Sequence, residues 1–143
     1  MCSMGWSSKV SRDMNDNATI MGSAGAGPAI NALMEVTHFA NSHWWVDDAS
    51  EDAKLLVVPT KLMLIVSELA EAMEGHRKGL QDDKLPHRSM LEVELADVLI
   101  RLLDLAGRLK LDLGGAYVEK MRYNRDRADH KPEARAAVGG KQY

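Results

Sequence analysis

Lys61-Leu-Met-Leu-Ile-Val-Ser-Glu-Leu-Ala-Glu-Ala-Met-Glu74 decides the fold class. It opens as an almost unbroken apolar run, Leu62 to Val66, and then sets Glu68 and Glu71 three residues apart. A long segment of this kind without turn residues is helical. Its first turns are apolar all round, which predicts burial on several sides. The helix is expected to begin near Pro59 or Thr60 and to end near Lys78, with Gly79 as its stop. His76, Arg77 and Lys78 suit the negative end of the helix dipole.

The pattern returns in Leu91-Glu-Val-Glu-Leu-Ala-Asp-Val-Leu-Ile100, where Glu94 and Asp97 are again three apart. Residues i and i+3 share a helix face, so each pair is a two-carboxylate patch on a largely apolar helix. Burying an unpaired carboxylate is costly. Four acids in apolar surroundings therefore call for a cation between them. A single such pair is common on any solvated helix, and it is the repetition in matching contexts that carries weight.

Outward from these helices the chain reads as all-α. Pro28 is suited to the first position of a helix, and Ile30, Leu33, Met34 and Thr37 continue it at helical spacing to about Asn41. Asn41 to Ser50 is a polar loop with two adjacent tryptophans, Trp44 and Trp45. Gln81 to His87 is a second polar loop. Ser89 with Glu92 forms a capping box for a helix from about Met90 to Lys110. Asp112 caps a fourth, from about Leu113 to Ala128, whose Lys120, Arg122, Arg125 and Arg127 make it basic. No strand is expected. Residues 1–27, rich in Ser, Asn, Asp and Gly, read as a flexible tail, residues 28–130 as one helical domain, and residues 131–143 as a short C-terminal tail.

Composition narrows the function. The 143 residues suffice for one domain with a core, and 45% hydrophobic with 27% charged is ordinary for a globular chain. A formal net charge of -3 gives no basic field for nucleic-acid binding. The single cysteine, Cys2, excludes an internal disulfide and a thiolate metal site. With no apolar run near the roughly 20 residues of a bilayer span and no secretory signal pattern, a cytoplasmic protein is expected.

An all-oxygen ligand set favours hard cations, Mg²⁺ first and Mn²⁺ as a substitute. Mg²⁺ commonly shares its shell with substrate phosphates, so such a site beside basic residues is equipped for phosphoester or phosphoanhydride chemistry. Lys120, Asn124 and Arg127 lie at i, i+4 and i+7 on one face of the fourth helix, which reads either as a phosphate cradle or as a solvated surface. Glu35-Val-Thr-His38 has the Glu-x-x-His form used by di-iron bundles, but the second motif those sites need is missing. His38 is left as a helix-end histidine or a pocket residue beside Trp44. Neither phosphate-cradling glycine loop is present.

Ser67-Glu-Leu-Ala-Glu71, Glu94-Leu-Ala-Asp97 and Lys120-Met-Arg-Tyr-Asn124, in that order, resemble the motifs of the MazG-like, all-α nucleoside triphosphate pyrophosphohydrolases. That group includes the dCTP pyrophosphatases and is related to the dimeric dUTPases. His43-Trp-Trp-Val-Asp47 is similar to their Trp-containing loop, and Glu74-Gly-His-Arg-Lys-Gly79 to their helix ending. The resemblance spans about Pro28 to His130 and implies a four- to five-helix bundle, assembled as a homodimer or a dimer of dimers. It implies Mg²⁺-dependent cleavage of a nucleoside triphosphate between its α and β phosphates, releasing the monophosphate and pyrophosphate. By position, Glu68, Glu71, Glu94 and Asp97 would be the metal ligands, and one carboxylate would deprotonate the attacking water. Lys120, Asn124 and Arg127 would hold phosphates, with Arg125 as another helper, and His38, Trp44 and Trp45 would face the base. Two positions depart from the pattern. Ser67 stands where many members have Glu, and Arg101 stands where some have Tyr. Arg101, at i+4 from Asp97, is placed to pair with that acid or to reach a phosphate. Ser67 also keeps open a non-catalytic nucleotide- and metal-binding regulator on the same scaffold.

Overall fold

The computed structural model describes residues 25–46 and 50–126. Most of the expected N-terminal tail, the whole C-terminal tail and Arg127 lie outside the described residues. The elements are α1 (Ala26–Asn41), a short 3₁₀ turn (Ser42–Trp44), α2 (Glu51–Lys78), α3 (Met90–Arg108) and α4 (Leu113–Asp126). The described residues contain no strand, only an isolated antiparallel bridge between Gln81 and Ser89. The all-α expectation holds. No helix among the described residues is long and apolar enough to cross a membrane.

The chain divides into two units, Ala32–Leu111 and the segments flanking it on both sides. In the first, α2 and α3 pack against each other and run antiparallel. The turn between them is closed by the Met90 N–H donating to the Leu80 carbonyl at 3.0 Å, and by the Asp82 N–H donating to the Arg88 carbonyl at 3.1 Å. Asp82, itself buried, accepts from the N–H groups of Lys84 (3.0 Å) and Leu85 (2.6 Å) and so folds the loop on itself.

The helix ends follow local chemistry. α2 stops at Gly79, whose φ of 64° only glycine adopts without steric cost. The Leu80 N–H reaches the Gly75 carbonyl at 3.0 Å and the Gly79 N–H the His76 carbonyl at 3.3 Å, the paired bonds of a Schellman ending. α3 closes in the same way, with Leu111 N–H to Ala106 carbonyl at 3.1 Å and Lys110 N–H to Gly107 carbonyl at 3.0 Å. Here the left-handed position is Lys110, at φ 54°, so the helix ends at Arg108 and not at the expected Lys110. At its start, Ser89 accepts from the Glu92 N–H at 3.2 Å. Only half of the capping box forms, because the Glu92 carboxylate pairs with Arg88 at 2.6 Å.

Two helix starts differ from expectation. α1 begins two residues before Pro28, so Ala26 and Gly27 are not tail. Pro28 is then the third helical residue, where an N–H has no helical partner to lose. α2 begins at Glu51 and runs through Pro59. Pro59 removes one backbone bond, which a helix of 28 residues survives.

Among the described residues the buried apolar side chains are Met34 on α1, Ile65 and Ala72 on α2, and Leu103, Leu105 and Ala106 on α3. The expected all-round burial of α2 is not realised within one chain. Leu62, Val66, Leu69 and Met73 form an exposed stripe at i, i+4, i+7 and i+11. On α3, Leu95, Leu99 and Leu102 form another. A pair of helices has only one mutual interface, and their other apolar faces stay bare.

In the flanking unit, the Asp112 carboxylate accepts from the Gly115 N–H at 2.9 Å and caps α4 as expected. The Asn31 amide braces it, donating to Asp112 at 2.8 Å and accepting from the Gly114 N–H at 2.8 Å. These bonds hold the Asp112 carboxyl below its ordinary range, that from Asn31 first.

Candidate functional site

Each helix of the antiparallel pair presents one pocket-lining stripe that is mostly charged. On α2 it runs Lys61, Leu64, Glu68, Glu71; on α3 it runs Glu94, Asp97, Arg101, Asp104. Both follow the spacing i, i+3, i+7, i+10, which keeps them on one face over three turns. Running in opposite directions, the stripes meet and build two pockets within the Ala32–Leu111 unit.

The first pocket is acidic. Carboxylate oxygens of Glu68, Glu94 and Asp97 lie within 4.8 Å of one another. Glu68 and Glu94 are buried. Glu71 is exposed and lines the same pocket without joining the triad. Burial, then a hydrogen bond shared with Glu68 and the charges of Glu71, Glu68 and Asp97, pushes the Glu94 carboxyl up to about 7. Like charges at this range cannot all ionise without a counter-ion. The donor set is all oxygen, buried on one side and short of positive charge, so it fits a hard divalent cation. The loop residues Asp82, Asp83 and Lys84 form the rim. Asp83, and more weakly Asp82 and Glu94, hold the Lys84 ammonium above its ordinary range.

One protein cation reaches the triad directly among the described residues. Arg101 Nη2 lies 2.7 Å from Glu68 Oε1. Its partner is thus the acid across the helix interface and not Asp97 on its own helix.

The second pocket, about 520 Å³, is lined by Asn41, Trp44, Lys61, Leu64, Ile100 and Asp104, with Asp97 and Arg101 at its border with the first. Asp104 is 6% exposed. It accepts from Trp45 Nε1 at 2.9 and 3.1 Å and lies 2.8 Å from His38 Nδ1. The Trp45 ring packs edge-on to His38, with centroids 6.2 Å apart, and carries Lys61 Nζ 4.5 Å from its centre. His38 approaches α3 over Gly107, where a Cβ would stand 2.6 Å from the His38 Cβ. No other residue leaves that space.

The three residues expected at the base therefore separate. His38, through Nδ1, and Trp45, through Nε1, are engaged with Asp104. Trp44, 68% exposed and tilted against His43 at 4.7 Å, lines the pocket. Ser67 donates to the Leu64 carbonyl at 2.8 Å, so its hydroxyl is spent on its own helix. In the flanking unit, Lys120 is exposed with its ammonium 4.7 Å from the Tyr123 ring centre. Asn124 Oδ1 is buried and has no hydrogen-bond partner among the described residues.

Asp104, Lys61 and the Asp82–Lys84 rim were not among the expected site residues. Two of them had a signal. Asp104 is seven residues beyond Asp97, and Lys61 seven before Glu68, so both extend the acidic pairs along the same faces. The rim had none, because its place depends on how the loop folds over the acids.

Compared with protein-family models, curated proteins and solved structures, the chain matches none.

Proposed function

We propose that this chain is a Mg²⁺-dependent nucleoside triphosphate pyrophosphohydrolase, cleaving between the α and β phosphates in the nucleotide pool of the cytoplasm. The observation that carries the reading is the convergence of Glu68, Glu94 and Asp97 within 4.8 Å in a pocket that borders a second one lined by Trp44 and Lys61. The ordered resemblance to the MazG-like enzymes supports it.

Glu68, Glu94 and Asp97 would hold the ion, with Mn²⁺ as a substitute. Bound there, Mg²⁺ supplies Lewis-acid activation of water and charge neutralisation at the phosphates. Glu71, in the same pocket but outside the triad, is the carboxylate free to take a proton from the attacking water. Arg101 and Lys61 are the cations for the phosphate chain, with Lys120, Asn124 and Arg127 as further candidates on the resemblance alone. The base enters beside Trp44. His38 and Trp45 act on that pocket through Asp104, which fixes both rings.

The exposed stripes on α2 and α3 support a homodimer, or a pair of dimers, closed by symmetry. A four- to five-helix bundle of the all-α pyrophosphatase type would bury them between copies.

The test is a panel of deoxynucleotides, ribonucleotides and guanosine tetraphosphate incubated with enzyme and Mg²⁺. Pyrophosphate release, without single phosphate, is expected from at least one nucleoside triphosphate, and its absence across the panel at high enzyme concentration sinks the reading. The second reading, a non-catalytic binding module, is favoured by Ser67, which adds no acid to the site. It predicts Mg²⁺-dependent nucleotide binding without turnover.

A further inference from the structure

We propose that Arg101 is a resident counter-cation: it pairs with Glu68 when no ion is bound, yields that carboxylate to an incoming divalent cation, and passes to the phosphates of the substrate. The inference rests on the metal reading of the acidic pocket and adds an exchange to it.

Three observations carry it. The Glu68 side chain is 9% exposed and sits in the triad, yet its one cationic partner among the described residues comes from the facing helix at 2.7 Å. The Arg101 side chain is 40% exposed, so its head can leave the acid without crossing the core. Arg101 also lines both pockets, a place it shares only with Asp97. A short swing of its stem therefore moves the guanidinium from the acidic side to the aromatic side.

The physical chemistry gives the exchange a direction. A buried carboxylate without a counter-charge is expensive, so the guanidinium is held at Glu68 while the site lacks an ion. A divalent cation on the same carboxylate offers twice the charge and repels the guanidinium. Once displaced, a planar fork of N–H donors matches phosphate oxygens in pairs, and the phosphate chain is the anion the second pocket would bring. Lys84 does not offer the same exchange, since it is engaged with Asp83 at 3.2 Å.

The consequence is a pair of effects of opposite sign, which a merely structural arginine would not produce. Calorimetric titration of the full chain with Mn²⁺, without nucleotide, is compared for wild type, Arg101→Gln and Arg101→Lys. The same proteins, saturated with Mn²⁺, are then titrated with imidodiphosphate, a non-hydrolysable mimic of a phosphate chain. Arg101→Gln is expected to bind Mn²⁺ about three- to tenfold more tightly, because nothing competes for Glu68, and imidodiphosphate about tenfold more weakly. Arg101→Lys keeps the charge but loses the fork, so Mn²⁺ affinity stays near wild type while imidodiphosphate weakens. Mn²⁺ binding that Arg101→Gln leaves unchanged or weakens overturns the exchange and leaves the metal reading standing. Imidodiphosphate affinity equal in all three proteins overturns the phosphate half. Absence of Mn²⁺ binding by the wild type overturns both the metal reading and this inference.

Discussion

Asp104 shows how much a single side chain holds together here. Its carboxylate serves Trp45 Nε1 and His38 Nδ1 while nearly fully buried. Asp104→Ala leaves both half-buried rings without this partner, and with an unsatisfied buried group costing about 1–3 kcal/mol the variant is expected to lose about 1–3 kcal/mol in urea denaturation. Glu94 works in the other direction. The folded chain keeps its proton up to about pH 7, whereas the unfolded chain releases it near the ordinary glutamate value of 4.5. Between these values the folded state binds more protons, so the metal-free protein loses stability as pH rises from 4.5 to about 7. Glu94→Gln removes that loss. Above pH 7 it should melt a few degrees higher than wild type, equivalent to about 1 kcal/mol, and show no Mg²⁺-induced rise in melting temperature. A wild-type melting curve that is flat across this pH range would contradict the assignment. At this scale the acids were legible because carboxylates in apolar helices are anomalous wherever they point. The partner of Arg101 was not, since spacing ranks neighbours on one helix and says nothing of the helix opposite.

At the level of elements, the two Schellman endings differ in one residue. α2 places Gly79 at the left-handed position and α3 places Lys110 there. A side chain in that conformation costs roughly 1 kcal/mol relative to glycine, so Lys110→Gly is expected to stabilise the chain by about 0.5–1 kcal/mol in equilibrium unfolding. Equal or lower stability would mean that the Lys110 side chain compensates for its backbone. Helix identities and most ends were readable from periodicity and caps. Ser89, Asp112 and Gly79 act as their sequence positions suggest. The start of α2 was misplaced because Pro59 reads as a beginning, and a proline at a helix start and one tolerated inside a long helix look alike until the preceding turns are seen to hold. The loop between α2 and α3 was legible only as polar. That it closes through Asp82 and brings Lys84 to the acids follows from backbone bonds that composition does not encode.

On the scale of the whole molecule, the six buried apolar side chains among the described residues are outnumbered by the exposed ones on α2 and α3. Contiguous exposed apolar faces of this kind mark association surfaces. Val66→Glu or Leu99→Glu places a charge in each stripe, and light scattering is expected to show a shift from oligomer to monomer for both. An unchanged mass would remove these faces from the interface. The apolar run at Leu62 is helix, as its length implies, but most of its side chains are exposed in one copy of the chain. The same bare stripes run along the two helices that carry the acids, about 150° around each helix axis from them. If two copies pack through these stripes, as proposed, the amount of chain present becomes a control on the site itself. Dilution should act like an inhibitor, with specific activity falling at low enzyme concentration and recovering on concentration or with bound Mn²⁺ and imidodiphosphate.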